Sequence, residues 1–129
     1  MPVQDQIRAL VQGHCDRLPD HVDEIGGKLS RLVNAETDHA AHLGDLIELT
    51  HKLNGSSGSI GFRDVGAAAA ALEEHLTELA QSQTKPEAPD LARILVLFNA
   101  LERLASQATP EDSTLYHADL EPSGQAADA

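Results

Sequence analysis

Apolar residues recur along this chain at steps of three and four, the period of a helix with one buried face. Val3, Ile7, Leu10, Val11 and Cys15 make the first such stripe and predict a helix over residues 3–17. Pro19 and Asp20 interrupt it, and Asp20 is a fair N-cap for a second helix. Val22, Ile25, Leu29, Leu32 and Val33 carry that second stripe to residue 33, although Gly26 and Gly27 weaken it. A third helix is expected from Thr37 or Asp38 to about Gly61, with Leu43, Leu46, Ile47, Leu53 and Ile60 on its apolar side. The fourth, residues 63–80, buries Val65, Ala68, Ala69, Leu72, Leu76 and Leu79. After the polar linker "QSQTKPEAPD" a fifth spans 89–107, with Leu91, Ile94, Leu95, Phe98, Leu101 and Leu104 inward and Pro89 in its first turn.

Amphipathic helices joined by short connections pack as antiparallel neighbours. The expected fold is therefore all-α: an up-down antiparallel four-helix bundle with an additional N-terminal helix. The bundle is assigned to residues 1–107. From 108 to 129 no helical stripe survives, and Pro, Asp, Glu and small polar residues dominate, so an acidic tail without fixed structure is expected there.

Composition supports helix on helix. The aromatic residues are Phe62, Phe98 and Tyr116, without Trp, which is too few for a sheet protein. The formal net charge of −12 argues against binding phosphate backbones or an anionic membrane surface. The one cysteine, Cys15, cannot form an intramolecular disulfide or a Cys-based metal site. No signal peptide is read in "MPVQDQIRALVQG", and no stretch approaches a membrane span, so a cytoplasmic protein is expected.

The segment "LTHKLNGSSGSIGF", residues 49–62, breaks the usual economy of a helix. A helix-interior glycine costs about 1 kcal/mol against alanine, yet Gly55 and Gly58 stand within the third helix. At about 100° per residue, the apolar side of that helix centres near 300° from Leu43, with Thr50 and Ser57 filling a gap in it. His51 falls about 140° from that centre, on the outer side or at its edge. Gly44, Gly55 and Gly58 lie at seven- and four-residue spacings from it, hence on the same side. An imidazole so placed stands on a strip nearly free of side chains, flanked by Glu48 and Lys52, and a flat partner can approach it closely. The alternative is that these glycines let another helix pack close, and with seven histidines in the chain spacing alone leaves the choice open.

"HKLNGSSGSIGF" resembles the signature of the histidine-containing phosphotransfer (HPt) domain. That signature has a helical His, an apolar residue two later, Lys and Gly three and four later, small residues, and a second Gly at the helix end. Here these positions hold His51, Leu53, Asn54, Gly55, Ser56, Ser57 and Gly61. "AAAAALEEHL" resembles the small-residue helix that follows, with Leu72 and Glu73 in its Leu-Glu place. The similarity covers about residues 5–105. One departure stands out: Asn54 occupies the position of the usual Lys and brings no charge. Lys52, about 100° around the helix on a long stem, is the candidate to replace that charge.

The resemblance implies a phosphorelay intermediate of two-component signalling. His51 would accept a phosphoryl group and exchange it with an aspartate of a response-regulator receiver domain, or take it from a hybrid histidine kinase. Neutral imidazole is a competent nucleophile near neutral pH. Lys52, Asn54 and Gly55 would neighbour the phosphoryl group, and Gly44, Glu48, Gly58 and Ser59 would line the docking strip. Phosphoryl transfer needs positioning and charge stabilisation, and the sequence shows no P-loop and no metal cage. A divalent metal is therefore expected on the partner, no cofactor on this chain, and no autokinase activity.

Three other readings come from the residues. "ETDH" (36–39) and "ELTH" (48–51) fit Glu-x-x-His, and His39 and His42 could share a surface metal, but a di-iron site needs such motifs on different helices pointing inward. Cys15 sits on an apolar stripe, as a small core residue does. A helical adaptor that binds a kinase or receiver without being phosphorylated is the alternative function.

Overall fold

The computed structural model describes residues 2–117. Four α-helices form a ring: α1 (Val3–Asn34), α2 (His39–Ser59), α3 (Arg63–Ser82) and α4 (Ala88–Gln107). Each packs on the next, and α1 closes the ring against α4. A single 3-10 turn, Pro110–Asp112, follows α4. Among the described residues no helix is long and apolar enough to cross a membrane.

The additional N-terminal helix is not a separate element. The two stripes read before and after Pro19 belong to one helix of 32 residues, with Pro19 inside it. A proline within a helix removes one backbone hydrogen bond and crowds the preceding turn, at about 3 kcal/mol. Burial on both sides of it offsets that cost. Val11, Leu18, Ile25 and Leu32 follow one another at seven-residue steps and, with Val22 and Leu29, are all buried in the same core. Any break at Pro19 would take one half of that row out of register. Pro19 itself lies on the exposed side.

The core otherwise follows the apolar pattern at its centre and departs from it at the margins. Leu43, Leu46, Leu53, Val65, Ala69, Leu72, Leu76, Ile94, Phe98 and Leu101 are buried. Val3, Leu10, Val33 and Leu95, assigned inward from their spacing, are largely exposed. Val3 and Leu10 lie on the solvent side of the end of α1, and Val33 and Leu95 lie on the rim of the α1–α4 seam beside Phe98.

The turn between α2 and α3 is closed by two backbone hydrogen bonds. The amide of Phe62 donates to Ser57 O at 2.8 Å and that of Gly61 to Gly58 O at 3.1 Å, with Gly61 at φ +91. This is a Schellman end, and its left-handed residue is the glycine that such ends favour. The turn drives Phe62 into the core.

The first residues of the expected tail lie against the bundle. The Ser113 hydroxyl donates to Ile60 O, the Thr114 amide donates to Gly61 O at 3.0 Å, and the Cys15 thiol donates to Ala108 O at 3.3 Å. Arg8 lies over the Tyr116 ring, 4.8 Å from its centroid, and its Nε donates to Tyr116 O. The reason for this order is local: Ser113 is buried and closes over the carbonyls left open at the end of α2. Residues 118–129 of that assignment lie outside the described residues.

Candidate functional site

Helix α2 turns Leu43, Leu46, Thr50, Leu53 and Ser57 inward. The two polar members of that row are each satisfied. Thr50 donates to Leu46 O at 2.9 Å, a bond back into its own helix. Ser57 pairs across the core with His14 Nε2 at 3.1 Å. The His14 ring also stacks on Phe62 at 5.5 Å. Burial, then the charges of Arg17 and His21, holds the His14 pKa below the ordinary imidazole value, so the neutral ring is the form this core accepts.

His51 stands on the other side of α2. Its side chain is 72% exposed, and its Nδ1 lies 2.9 Å from Glu73 Oε2 on α3, a carboxylate only 22% exposed. An ionised carboxylate only accepts hydrogen bonds, so Nδ1 carries the proton, and in the neutral ring Nε2 keeps its lone pair. Nε2 has no partner among the described residues.

The strip around the ring is open. A Cβ built on Gly44, Gly55 or Gly58 meets no other atom within 4 Å. That excludes close helix packing as the reason for these glycines. Gly66 of α3 is the glycine at the helix contact, its missing Cβ lying 3.6 Å from Asn54 O, Asn54 Oδ1 and Gly58 N. Ser59 and Glu48 are exposed on α2 as well.

The charged and polar neighbours expected at the ring are placed elsewhere. Lys52 Nζ is bonded to Glu48 Oε1 at 2.9 Å, one turn back along α2, and its side chain borders the hollow toward α1. Asn54 turns its amide oxygen toward Gly66 of α3. Neither is bonded to His51. The residue that is bonded to it, Glu73, had no functional role in the sequence reading. Its signal was faint: a carboxylate directly after Leu72, at the edge of the buried stripe of α3.

Of the other candidates, His39 Nε2 lies 3.1 Å from Ala35 O, a contact that occupies one of its two nitrogens. Cys15 is half-buried, and its thiol pKa is raised by burial and by Asp16, Asp112 and Glu111, which disfavours the reactive thiolate. Among the described residues no three His, Cys, Asp or Glu side chains gather as a metal site.

A family model described as Hpt domain matches residues 9–108. The chain belongs to the Hpt domain family. No curated protein and no solved structure matches it. Hpt domains serve phosphorelay by histidine phosphotransfer in two-component signalling. They are carriers of the phosphoryl group rather than autokinases, and they interact with receiver domains and kinases. The Hpt match ends at the point where the segment 109–117 begins to close over the α2–α3 turn.

Proposed function

We propose that His51 is the phosphoryl acceptor of this Hpt domain and that it exchanges the group with an aspartate of a receiver domain. The observation that supports this reading most is the His51–Glu73 pair. It holds the ring by one nitrogen and leaves the other, Nε2, without a partner among the described residues, on a largely exposed side chain. In the forward step the Nε2 lone pair attacks phosphorus, an Nε2–P bond forms, and the aspartyl O–P bond of the donor breaks. No proton must leave: the ring keeps the Nδ1 proton and becomes cationic, and the Glu73 carboxylate stabilises that charge. In the reverse step the Nε2–P bond breaks and, because Nδ1 still carries its proton, the ring leaves as neutral imidazole rather than as imidazolate, while the phosphoryl group passes to the aspartate oxygen. The divalent ion that phosphoryl transfer employs belongs, in this reading, to carboxylates of the partner. This chain supplies the nucleophile, its tautomer and a clear line of approach, with Gly44, Glu48, Gly55, Gly58 and Ser59 beneath the docked partner.

A second reading, a non-phosphorylated adaptor, is favoured by one observation. Lys52 is tied to Glu48 and Asn54 lies against Gly66 of α3, and neither is bonded to the ring that would carry the phosphoryl group. One experiment separates the two. A phosphorylated receiver is mixed with the pure chain, and acid-labile, alkali-stable phosphate on His51 is measured. Label on His51 supports the relay; a complex without label supports the adaptor.

A further inference from the structure

The flank of α2 opposite Glu73 holds a second feature. Between α1 and α2 lies a hollow of about 430 Å³ with Ile25, Leu49 and Leu53 at its apolar base and Arg17, His21 and Lys52 on its wall. The chain as a whole has 9 Lys and Arg against 21 Asp and Glu, so a hollow where Arg17 and Lys52 gather is a local relief from its negative charge. Glu24 is the carboxylate of this wall. Arg17 and His21 make no hydrogen bond or ion pair among the described residues. Lys52 is held only by Glu48, in a pair where both side chains are about two-thirds exposed, and such pairs exchange partners at little cost. Arg17 and His21 line the hollow beside His14, and the Arg17 guanidinium rests over Gly13 of α1, one turn back, where no partner among the described residues holds it.

The position matters as much as the charge. Lys52 follows His51 in sequence, and Leu49 and Leu53 lie one turn apart on either side of it. The hollow therefore adjoins the glycine strip. Resting on the reading of His51 as the acceptor, the partner that reaches it presents an aspartyl group beside carboxylates able to hold a divalent ion. A surface of that kind is acidic, and a chain of net charge −12 repels it at long range. Local cations beside the acceptor counter that repulsion and orient the encounter.

We propose that the Arg17–His21–Lys52 hollow is the part of the docking surface that receives the acidic edge of the receiver, Arg17 and His21 taking a carboxylate while Ile25, Leu49 and Leu53 take the apolar side chain beside it. Arg17 sets the geometry: its planar guanidinium matches a carboxylate by two parallel hydrogen bonds, which Lys52 cannot do.

The test uses the full chain and R17E and R17E/H21E variants. Receiver domains loaded with acetyl phosphate are the donors in one arm, and phosphoramidate, a small donor that needs no docking, labels the chain in the other. Receiver binding is measured separately by calorimetry. The expected result is a loss of about tenfold or more in transfer from the receiver at low salt, shrinking as ionic strength rises, with labelling by phosphoramidate unchanged. Transfer equal to wild type at every ionic strength overturns the proposal. Equal loss in both arms also overturns it, because the substitutions would then act on the ring itself. If the wild type binds receivers without taking label from either donor, the acceptor reading fails, and calorimetry decides the hollow: weaker binding by R17E supports it, unchanged binding overturns it. A change of oligomeric state in R17E by sedimentation assigns the hollow to a second copy of the chain and overturns it as well.

Discussion

His51 and Glu73 meet across two helices, Nδ1 to Oε2 at 2.9 Å, with the ring in solvent and the carboxylate mostly covered. The pair decides which nitrogen is free. Replacing Glu73 with Ala removes a hydrogen bond to a charged group, worth about 1.5–3 kcal/mol, so phosphoryl acceptance should slow by about 10- to 100-fold. Glu73→Gln keeps an acceptor for the Nδ1 proton but not the charge, and should fall between Ala and wild type. Rates of receiver-dependent labelling measure the loss. Nitrogen-15 shifts of the ring measure the tautomer, which should stay with the proton on Nδ1 in Glu73→Gln and become mixed in Glu73→Ala. A merely structural Glu73 would leave those shifts unchanged.

Removal of the ring itself should separate chemistry from fold. His51 lies outside the core and its bond to Glu73 is made by a largely exposed ring, so His51→Gln, whose amide can still donate to Glu73, should alter stability by no more than about 1 kcal/mol while abolishing labelling. Chemical denaturation and the labelling assay together check this, and retained label would move the acceptor to another residue.

Gly55 should trade stability against transfer. Open space surrounds its missing Cβ, so Gly55→Gln gains helix propensity of about 0.5–1 kcal/mol and needs no repacking. The same side chain stands in the path of the docked partner. The expected outcome is a higher melting temperature with receiver-dependent transfer reduced at least tenfold, and labelling by phosphoramidate retained. Normal transfer from the receiver would remove the reason given for a bare strip.

His14 should make the fold sensitive to acid. Its folded-state pKa lies below the ordinary imidazole value of about 6.5. Its contribution to stability is therefore complete above that value and is lost as pH falls through the lowered one, where the unfolded chain binds the proton more readily. The slope from one such group is at most about 1.4 kcal/mol per pH unit. Thermal melts from pH 8 to pH 5 should show the decline, and His14→Gln, which keeps a polar partner for Ser57 but does not titrate, should flatten it.

The α2–α3 turn should not tolerate a side chain at Gly61. At φ +91 a Cβ there would lie 2.6 Å from Thr114 Oγ1 and 2.9 Å from Thr114 N. Gly61→Ala should cost about 2 kcal/mol or more from the left-handed backbone and the crowding together. Truncation after Ala108 removes the crowding and the bonds of Ser113 to Ile60 and Thr114 to Gly61. Hydrogen exchange at Gly61 and Phe62 should accelerate in the truncated chain, and Gly61→Ala should cost less there than in the full chain.

The sequence by itself determined the all-helical class, the three connections between its four helices, the centre of the core and the exposure of His51. These follow from periodicity: a residue's angle on its own helix is set by its neighbours in sequence. The bare strip was legible for the same reason, because a glycine lacks a side chain wherever it is placed. Only the tertiary structure decided whether Pro19 ended a helix, since the answer depends on whether the rows on both sides of it share one core. It also decided that Glu73 rather than Glu74 meets the imidazole, that Lys52 turns to the α1 side, that Ser57 finds His14, and that residues 109–117 close over the end of α2. Each of these is a meeting of residues 22 to 53 positions apart or a choice between two flanks of one helix. Helical periodicity fixes which way a side chain faces, but it carries no record of which helix stands opposite.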